Sequence, residues 1–278
     1  MIGGKRQILY LILFYSFFIA LAIVCLVPLY WTVLTAFRPS REAFTYPPTF
    51  IPSALTLENI LNTWNLVPFG RYFLNSGLVT ASTVTGQIVL GSLAAYAFAR
   101  MRFPGRDVLF LLVLAGMMIP PVITLIPLFL MMREFGWIDS YYALIMPFVW
   151  GHPLGLFLFR QFFLTIPTQL EDAATIDGCG HLRIFQTVII PNASHAFLTV
   201  AVITFVMRWN DFLWPLVVTN RETMKVVSVG IATSFTSVDQ FLWSNVMSAA
   251  TLSVAPLIFL FLVAQRYFVE SIQLSGIK

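Results

Sequence analysis

The chain has 278 residues, of which 59% are hydrophobic and only 10% are charged. A soluble domain usually carries roughly a quarter of its residues charged, so this composition excludes a water-soluble globular protein and indicates an integral membrane protein. The net charge of +4 is small and spread along the chain, which argues against nucleic-acid binding and for a role of the basic residues in membrane topology.

The chain begins with the basic segment Met1–Arg6 and then enters a long apolar run. This run is longer than the apolar core of a typical signal peptide and lacks a small-residue cleavage site, so we expect a retained first span. Cys25 and Cys179 are the only cysteines, which gives no basis for a disulfide framework.

Apolar stretches of about 20 residues are long enough to cross a bilayer as helices, and six of them follow one another. We therefore predict an all-α integral membrane protein whose residues 1–278 form one transmembrane domain. The predicted spans are 9–36, 73–98, 107–132, 140–163, 194–219 and 246–268.

Loop charge predicts the orientation of these spans, because Lys and Arg are in excess in cytoplasmic loops. The larger basic set comprises Lys5, Arg6, Arg100, Arg102, Arg106, Arg160, Arg183, Arg266 and Lys278. The opposite set comprises Arg38, Arg41, Arg71, Arg133, Arg221 and Lys225. Both termini are therefore predicted to be cytoplasmic.

Two longer connections are predicted on the outer side. In residues 38–72, prolines break the first half, and Thr56–Trp64 can form a short amphipathic helix. We favour a lid packed on helix ends over a direct substrate contact. The polar connection 220–243, which contains Asp239, could touch an external partner.

Two spans contain features that disturb a regular apolar helix. In span three, Pro120-Pro121 and Pro127 predict a break, which either lines a cavity or is a purely structural kink. In span two, Gly91, Ala94, Ala95 and Ala97 favour close helix packing.

Span five contains a polar and aromatic cluster within an apolar segment, namely Arg208, Trp209, Asn210, Asp211 and Trp214. Charges at membrane depth usually face a cavity or a partner, and aromatic faces beside amide and carboxylate groups suit a polyol ligand. This indicates a translocation path. The alternatives are an Arg208–Asp211 ion pair, since residues three apart share a helix face, and tryptophans of an interfacial belt.

Residues 167–191, between spans four and five, form a polar interruption. Thr168 and Glu171 have capping-box spacing, and Gly178 and Gly180 permit the positive φ that ends a helix. We predict two short helices around a glycine turn, outside the lipid. A plain solvated loop is the alternative.

Part of this interruption resembles a known element. Asp172-Ala-Ala-Thr-Ile-Asp-Gly178, followed by Ile189-Ile-Pro191, resembles the EAA loop of ABC importer permeases. That loop reads Glu-Ala-Ala, three residues, Gly, and then Leu-Pro. Arg160-Gln-Phe-Phe and Trp209-Asn-Asp-Phe-Leu-Trp-Pro215 resemble the carbohydrate-uptake branch, the maltose-transporter-like permeases.

The resemblance runs from the first span to Arg266-Tyr-Phe-Val269, with two departures. Asp172 stands where the family usually has Glu. The tail Gln273-Leu-Ser-Gly-Ile-Lys278 lacks the usual Gly-Ala-Val-Lys-Gly ending, which leaves its role open.

The resemblance implies a permease subunit of a prokaryotic inner-membrane ABC importer, with sugar or oligosaccharide cargo and glycerol 3-phosphate or a related glycerophosphodiester as the alternative. It implies a second permease, an extracytoplasmic binding protein, and two ATP-binding subunits that hold ATP and Mg. This chain itself would have no cofactor. The residues implied in coupling to the ATPase are Glu171, Asp172, Ala173, Ala174, Asp177 and Gly178.

Two classes of protein compete with this interpretation. An intramembrane enzyme would need clustered catalytic or metal-binding groups, whereas His152, His181 and His195 are scattered and lack His-Glu-x-x-His spacing. The sequence also has no Gly-x-x-x-x-Gly-Lys-Ser/Thr loop for ATP. A self-contained secondary transporter would leave the 167–191 segment unexplained.

Overall fold

The computed structural model describes the backbone of residues 3–235 and 240–275, and the side chains of residues 7–235 and 243–266. The helices, in chain order, are α1 Gly3–Phe37, α2 Glu58–Leu66, α3 Phe69–Gly86, α4 Ser92–Arg100, α5 Arg106–Gly116, α6 Pro121–Glu134, α7 Tyr141–Val149, α8 Pro153–Thr165, α9 Thr168–Ile176, α10 His181–Ile184, α11 Ile190–Asn192, α12 Ser194–Trp209, α13 Leu213–Val218, α14 Val227–Ser234 and α15 Gln240–Ser275. Two π-helical segments, Gln87–Gly91 and Phe185–Ile189, join α3 to α4 and α10 to α11.

Within the described residues, four single segments are long and apolar enough to span a membrane: Gln7–Phe37, Phe69–Arg100, Tyr141–Thr165 and Trp243–Arg266. Two further segments pass the same test as bent pairs, Arg106–Gly116 with Pro121–Glu134 and His181–Asn192 with Ser194–Trp209. When each bent pair counts as one span, the total is six. The all-α prediction is confirmed.

The break in span three is at the predicted prolines. α5 and α6 meet at an angle of 100°. Pro120 is the N-cap of α6 and Pro121 its first residue, where the missing N–H costs no helical hydrogen bond. Pro127 lies inside α6 without ending it.

The predicted fourth and fifth spans are also interrupted. In span four, residues 150–152 separate α7 from α8. In span five, residues 210–212 separate α12 from α13, so Asp211 lies just beyond the helix that contains Arg208. The span predicted at 194–219 is therefore divided between two helices.

The chain forms two compact units, and the first comprises the described residues of 1–69 and 231–255. Here α2 begins two residues later than predicted and packs on the end of α1. The buried Asn59 amide donates to the carbonyls of Ala36 (3.1 Å) and Arg38 (2.7 Å). This packing agrees with the interpretation of the 38–72 connection as a structural lid.

The second unit comprises the described residues of 70–230 and 256–275 and has two apolar cores. One core lies among α4, α8, the 181–192 helix and α12, and includes Ala95, Phe159, Phe163, Phe185 and Ile189. Ala95 is fully buried, as its predicted role in close packing requires. The other core includes Val79, Met132, Leu144, Trp214 and Val218.

An ion pair ties the loop after α6 to the loop after α13. Arg221 Nε lies 2.6 Å from Asp139 Oδ2, and the backbone N–H groups of Asn220 and Arg221 donate to Oδ1. Burial opposes ionisation of Asp139, but these hydrogen bonds outweigh it and lower its pKa. Thus Arg221 holds two connections together. Asp239, in the same predicted outer connection, lies outside the described residues.

Candidate functional site

The 167–191 segment begins differently from its prediction. Pro167 is the N-cap of α9, and Thr168 is already helical and makes no capping hydrogen bond. The predicted capping box is therefore wrong. The reason is that Glu171 turns towards a buried cation instead of back to the helix N-terminus.

That cation is Arg100, at the end of α4. Its Nε lies 2.7 Å from Glu171 Oε1, and the two side chains are only 10% and 13% exposed. Arg100 also donates to the carbonyls of Phe163 and Ile166, at the end of α8. One guanidinium therefore joins α4, α8 and α9. From the sequence, Arg100 was predicted only in a cytoplasmic turn, because no local signal pairs it with Glu171.

The electrostatics of Glu171 follow from its position. Burial raises the pKa of this carboxyl and outweighs the opposing effect of Arg100, and the neighbouring Asp172 adds to the rise. Asp172 itself is exposed. The two adjacent acids thus differ, since Glu171 is directed into the protein and Asp172 remains at the surface.

The end of α9 is a glycine turn, as predicted. Gly178 has φ +81°, and the N–H groups of Gly178 and Cys179 donate to Thr175 (3.0 Å) and Ala174 (2.9 Å). This is a Schellman motif, which needs a left-handed residue after the helix. Gly180 instead has an ordinary φ of −77° and caps α10.

Most predicted coupling residues lie on one exposed surface. Asp172, Ala173, Asp177 and Gly178 are exposed, while Glu171 and Ala174 are half-buried. Beside them is Ile176, which is 86% exposed and was missed by the sequence analysis. An apolar side chain so exposed between acids suits docking to a protein partner.

Beyond the turn, the second helix attaches the segment to the protein. Phe185 and Ile189 are buried in the first apolar core, and the Phe185 ring lies 5.3 Å from that of Tyr96. The helix bends by 81° against α12. The segment therefore has an exposed polar first half and a second helix that is packed into the core, so it is not a free solvated loop.

The residues of the polar cluster in span five have different surroundings in the structure. Arg208 Nη1 lies 2.9 Å from Asp211 Oδ2, which forms the ion pair that the sequence suggested as an alternative. The Arg208 guanidinium also lies 3.8 Å from the ring centre of Phe148. Asn210 is exposed, and its amide donates to the carbonyl of Val206 (2.8 Å).

The two tryptophans of the cluster belong to the protein interior. Trp209 is buried, with its ring 5.3 Å from Phe73 and 5.7 Å from Phe205. Trp214 is buried in the second core, where its indole donates to the carbonyl of Ala143 (2.9 Å). Neither is among the residues that line the cavity beside Arg208.

This cavity has a volume of about 110 Å³, and no sequence pattern predicted it. Its polar lining comes from Thr83, Gln87, His152, Thr204 and Arg208. Within the described residues, no group of three or more His, Cys, Asp or Glu side chains could hold a metal ion. The arrangement is a cavity between helices whose mainly apolar lining carries these few polar groups.

Comparisons with known proteins agree with the fold. Residues 87–273 match the family described as "Binding-protein-dependent transport system inner membrane component". In the solved structure of a bacterial ABC transporter involved in the import of the acidic polysaccharide alginate, a chain of 22% identity has the same fold. The TM-score is 0.86, over 96% of this chain and 99% of that one.

Three curated relatives align with most of this chain. The probable ABC transporter permease protein YurM of Bacillus subtilis is 32% identical, over 90% of this chain and 83% of its own. The sn-glycerol-3-phosphate transport system permease protein UgpE of Yersinia pestis is 33% identical, over 90% and 91%. The arabinooligosaccharides transport system permease protein AraQ of Halalkalibacterium halodurans is 33% identical, over 94% of both chains.

These matches cover far more than half of the chain and include the segment 167–191 and the cavity residues Gln87, His152 and Arg208. The chain therefore belongs to the family of binding-protein-dependent transport system inner membrane components, the multi-pass permease subunits of ABC importers.

Proposed function

We propose that this permease translocates a sugar or oligosaccharide that an extracytoplasmic binding protein delivers. The observation that supports this cargo is the similarity to AraQ, which extends over 94% of both chains. UgpE is equally similar in identity, so glycerol 3-phosphate or a glycerophosphodiester is the second candidate. Permease subunits of this family do not themselves use ATP, and hydrolysis belongs to partner subunits.

In this proposal, the partners are a second permease and two ATP-binding subunits, which hold ATP and Mg. The exposed surface formed by Asp172, Ala173, Asp177 and Gly178, with Ile176 beside it, docks into an ATP-binding subunit. Glu171 and Ala174 lie on the partly buried side of α9, behind this surface. Closure of the ATPase would then move α9, and Arg100 would pass that movement to α4 and α8.

The proposed translocation path includes Arg208, Asn210 and Asp211, at the break between α12 and α13. Irregular backbone at membrane depth is tolerated where it lines a cavity or is buried in protein. Trp209 and Trp214 would not contact the cargo. They would position this path, because their packing fixes the end of α12 and the start of α13. Alternating access would expose it to each side in turn.

Uptake by the complete complex tests this function. Proteoliposomes that contain both permeases, the ATP-binding subunits and the binding protein should take up a neutral sugar from a panel of arabinose, maltose and raffinose only when ATP is supplied. Uptake of glycerol 3-phosphate alone would establish the second candidate. Uptake by this chain without any ATPase would instead make it a secondary transporter.

Topology gives an independent prediction. The side with more Lys and Arg should be cytoplasmic. We therefore expect both termini to be cytoplasmic, together with Arg102 and Arg183, and Arg41 and Lys225 to face outward. Single cysteines at these positions, in a background without Cys25 and Cys179, can be labelled from outside intact cells. Labelling at 41 but not at 183 is expected, and the reverse pattern would overturn this orientation.

Ile176→Ser should weaken co-purification of the ATP-binding subunit. The side chain is 86% exposed, so its loss should change the free energy of unfolding by no more than about 0.5 kcal/mol. Ile51→Ser is the matched control, because Ile51 is 82% exposed in the connection between α1 and α2. Equal ATPase co-elution from both variants would remove Ile176 from the docking surface.

A further inference from the structure

Three irregular backbone segments meet at the cavity. Its lining includes Gln87, in the π-helical segment of span two, His152, in the break of span four, and Arg208, next to the break of span five. π-helical segments and broken membrane helices are frequent at functional sites, because they free backbone and side-chain groups for a ligand.

The cavity lies near the middle of the candidate spans that line it. Gln87 is at the centre of the span Phe69–Arg100, roughly 27 Å along the helix from one end and 20 Å from the other at 1.5 Å per residue. His152 is likewise central in Tyr141–Thr165. A ligand here would be about halfway across the bilayer.

Gln87 has a donor that the protein leaves unused. Its side chain is 1% exposed, and its Oε1 accepts the backbone N–H of His152. Its Nε2 has no hydrogen-bond partner in the described part of the chain. A Cβ at Gly155 would lie 2.0 Å from Nε2, so glycine there makes room for the amide. Buried polar groups without partners are rare, and one on a cavity wall points to a ligand or water.

His152 supplies a second donor. Its Nδ1 accepts the backbone N–H of Leu154 (3.2 Å), so the neutral ring carries its proton on Nε2. The hydroxyl of Thr83 donates to the carbonyl of Val79 (2.8 Å), which leaves its oxygen as an acceptor. The cavity therefore offers both donors and acceptors.

The charges of the cavity balance. Among its described lining residues, Arg208 is the one Lys or Arg side chain, and Asp211 neutralises it at 2.9 Å. A phosphate is bound most strongly by an unpaired cation, which this lining lacks, whereas hydroxyl groups are satisfied by neutral donors and acceptors beside apolar surface. The volume of about 110 Å³ exceeds the roughly 30 Å³ of one water several times.

We propose that this cavity is a cargo-binding subsite that takes hydroxyl groups of a neutral sugar, with Gln87 Nε2 and His152 Nε2 as hydrogen-bond donors. The inference rests on the proposed function and assigns it one cargo class, a neutral polyol in place of a phosphate ester. The sugar would occupy the subsite while it passes through the membrane.

Gln87→Met tests the contribution of this side chain, because methionine keeps its length and removes both the Nε2 donor and the Oε1 acceptor of the His152 N–H. In the reconstituted complex, KM for the transported sugar should rise about three- to ten-fold, the effect of losing one hydrogen bond. Thr80→Val is the matched control, since Thr80 is a buried α3 residue outside the cavity lining. Equal KM values for the two variants would overturn the subsite, whereas failure of the wild-type complex to take up any sugar would overturn the proposed function.

A cysteine in the cavity tests binding without depending on Gln87. Thr204→Cys, in a complex without Cys25 and Cys179, should react with a small methanethiosulfonate reagent, and the transported sugar should slow that reaction. Glycerol 3-phosphate at the same concentration should not slow it. No protection by sugar, no labelling at position 204, or protection by glycerol 3-phosphate alone would each overturn the proposal.

Discussion

Gly178→Asp should abolish ATP-driven uptake while the membrane spans remain inserted. Gly178 has φ +81°, and a Cβ there would meet nothing within 4 Å. Asp is one of the residues that adopts this conformation, at a cost of roughly 1 kcal/mol, so the fold should survive. The added carboxylate would instead project from the exposed turn and obstruct docking to the ATP-binding subunit.

Two glycines provide controls for this result. Gly105→Asp introduces the same side chain at φ +78°, also in open space, but in the turn before α5. Gly180→Asp introduces it in the 178–180 turn at an ordinary φ. The expected order of damage to ATPase co-elution and coupled hydrolysis is Gly178, then Gly180, with Gly105 near wild type. Asp172→Ala should act in the same direction more weakly. Normal coupling in Gly178→Asp would remove the main support for the docking surface.

Features set by local chemistry could be predicted from the sequence. The bend at Pro120-Pro121 follows because proline cannot continue the helix that precedes it, and the end of α9 follows from the conformational freedom of Gly178. The Arg208–Asp211 pair was also open to prediction, since its spacing is short. In each case the residues that decide the structure are neighbours in the chain.

Features set by distant neighbours could not be predicted. Trp209 and Trp214 have the composition of a sugar-stacking site, yet Phe73 and Ala143 place them in the interior. Glu171 has capping-box spacing, but Arg100 competes for its carboxylate with a full charge. Gln87 carries no local signal, because only the fold brings it beside His152.

Arg100→Gln should displace α9 and reduce coupling strongly. The variant leaves the Glu171 carboxylate, whose side chain is 13% exposed, without its cation. Removing one partner of a buried ion pair costs about 3–5 kcal/mol, because the remaining charge is uncompensated. Arg106→Gln is the matched control. Arg106 pairs with Asp107, which is 76% exposed, so its loss should cost less than about 1 kcal/mol.

The loss of stability in Arg100→Gln should become larger as the pH rises. Burial already raises the pKa of Glu171, and Arg100 opposes that rise, so the Arg100→Gln variant should raise the pKa further. A raised carboxyl pKa favours folding below that pKa and loses this contribution as pH rises through it. The thermal midpoint and ATPase co-elution of Arg100→Gln should therefore be closer to wild type at about pH 5 than at about pH 8.

A second substitution shows whether the defect comes from the broken ion pair or from a general loss of packing. Arg100→Gln with Glu171→Gln removes both charges, so it should recover most of the thermal midpoint and lose the pH dependence of the single variant. Coupling should return in part, since the amides cannot join α4, α8 and α9 as firmly as the guanidinium does. If the double variant is no better than Arg100→Gln, or the single variant is equally impaired at both pH values, the Arg100–Glu171 pair does not position α9.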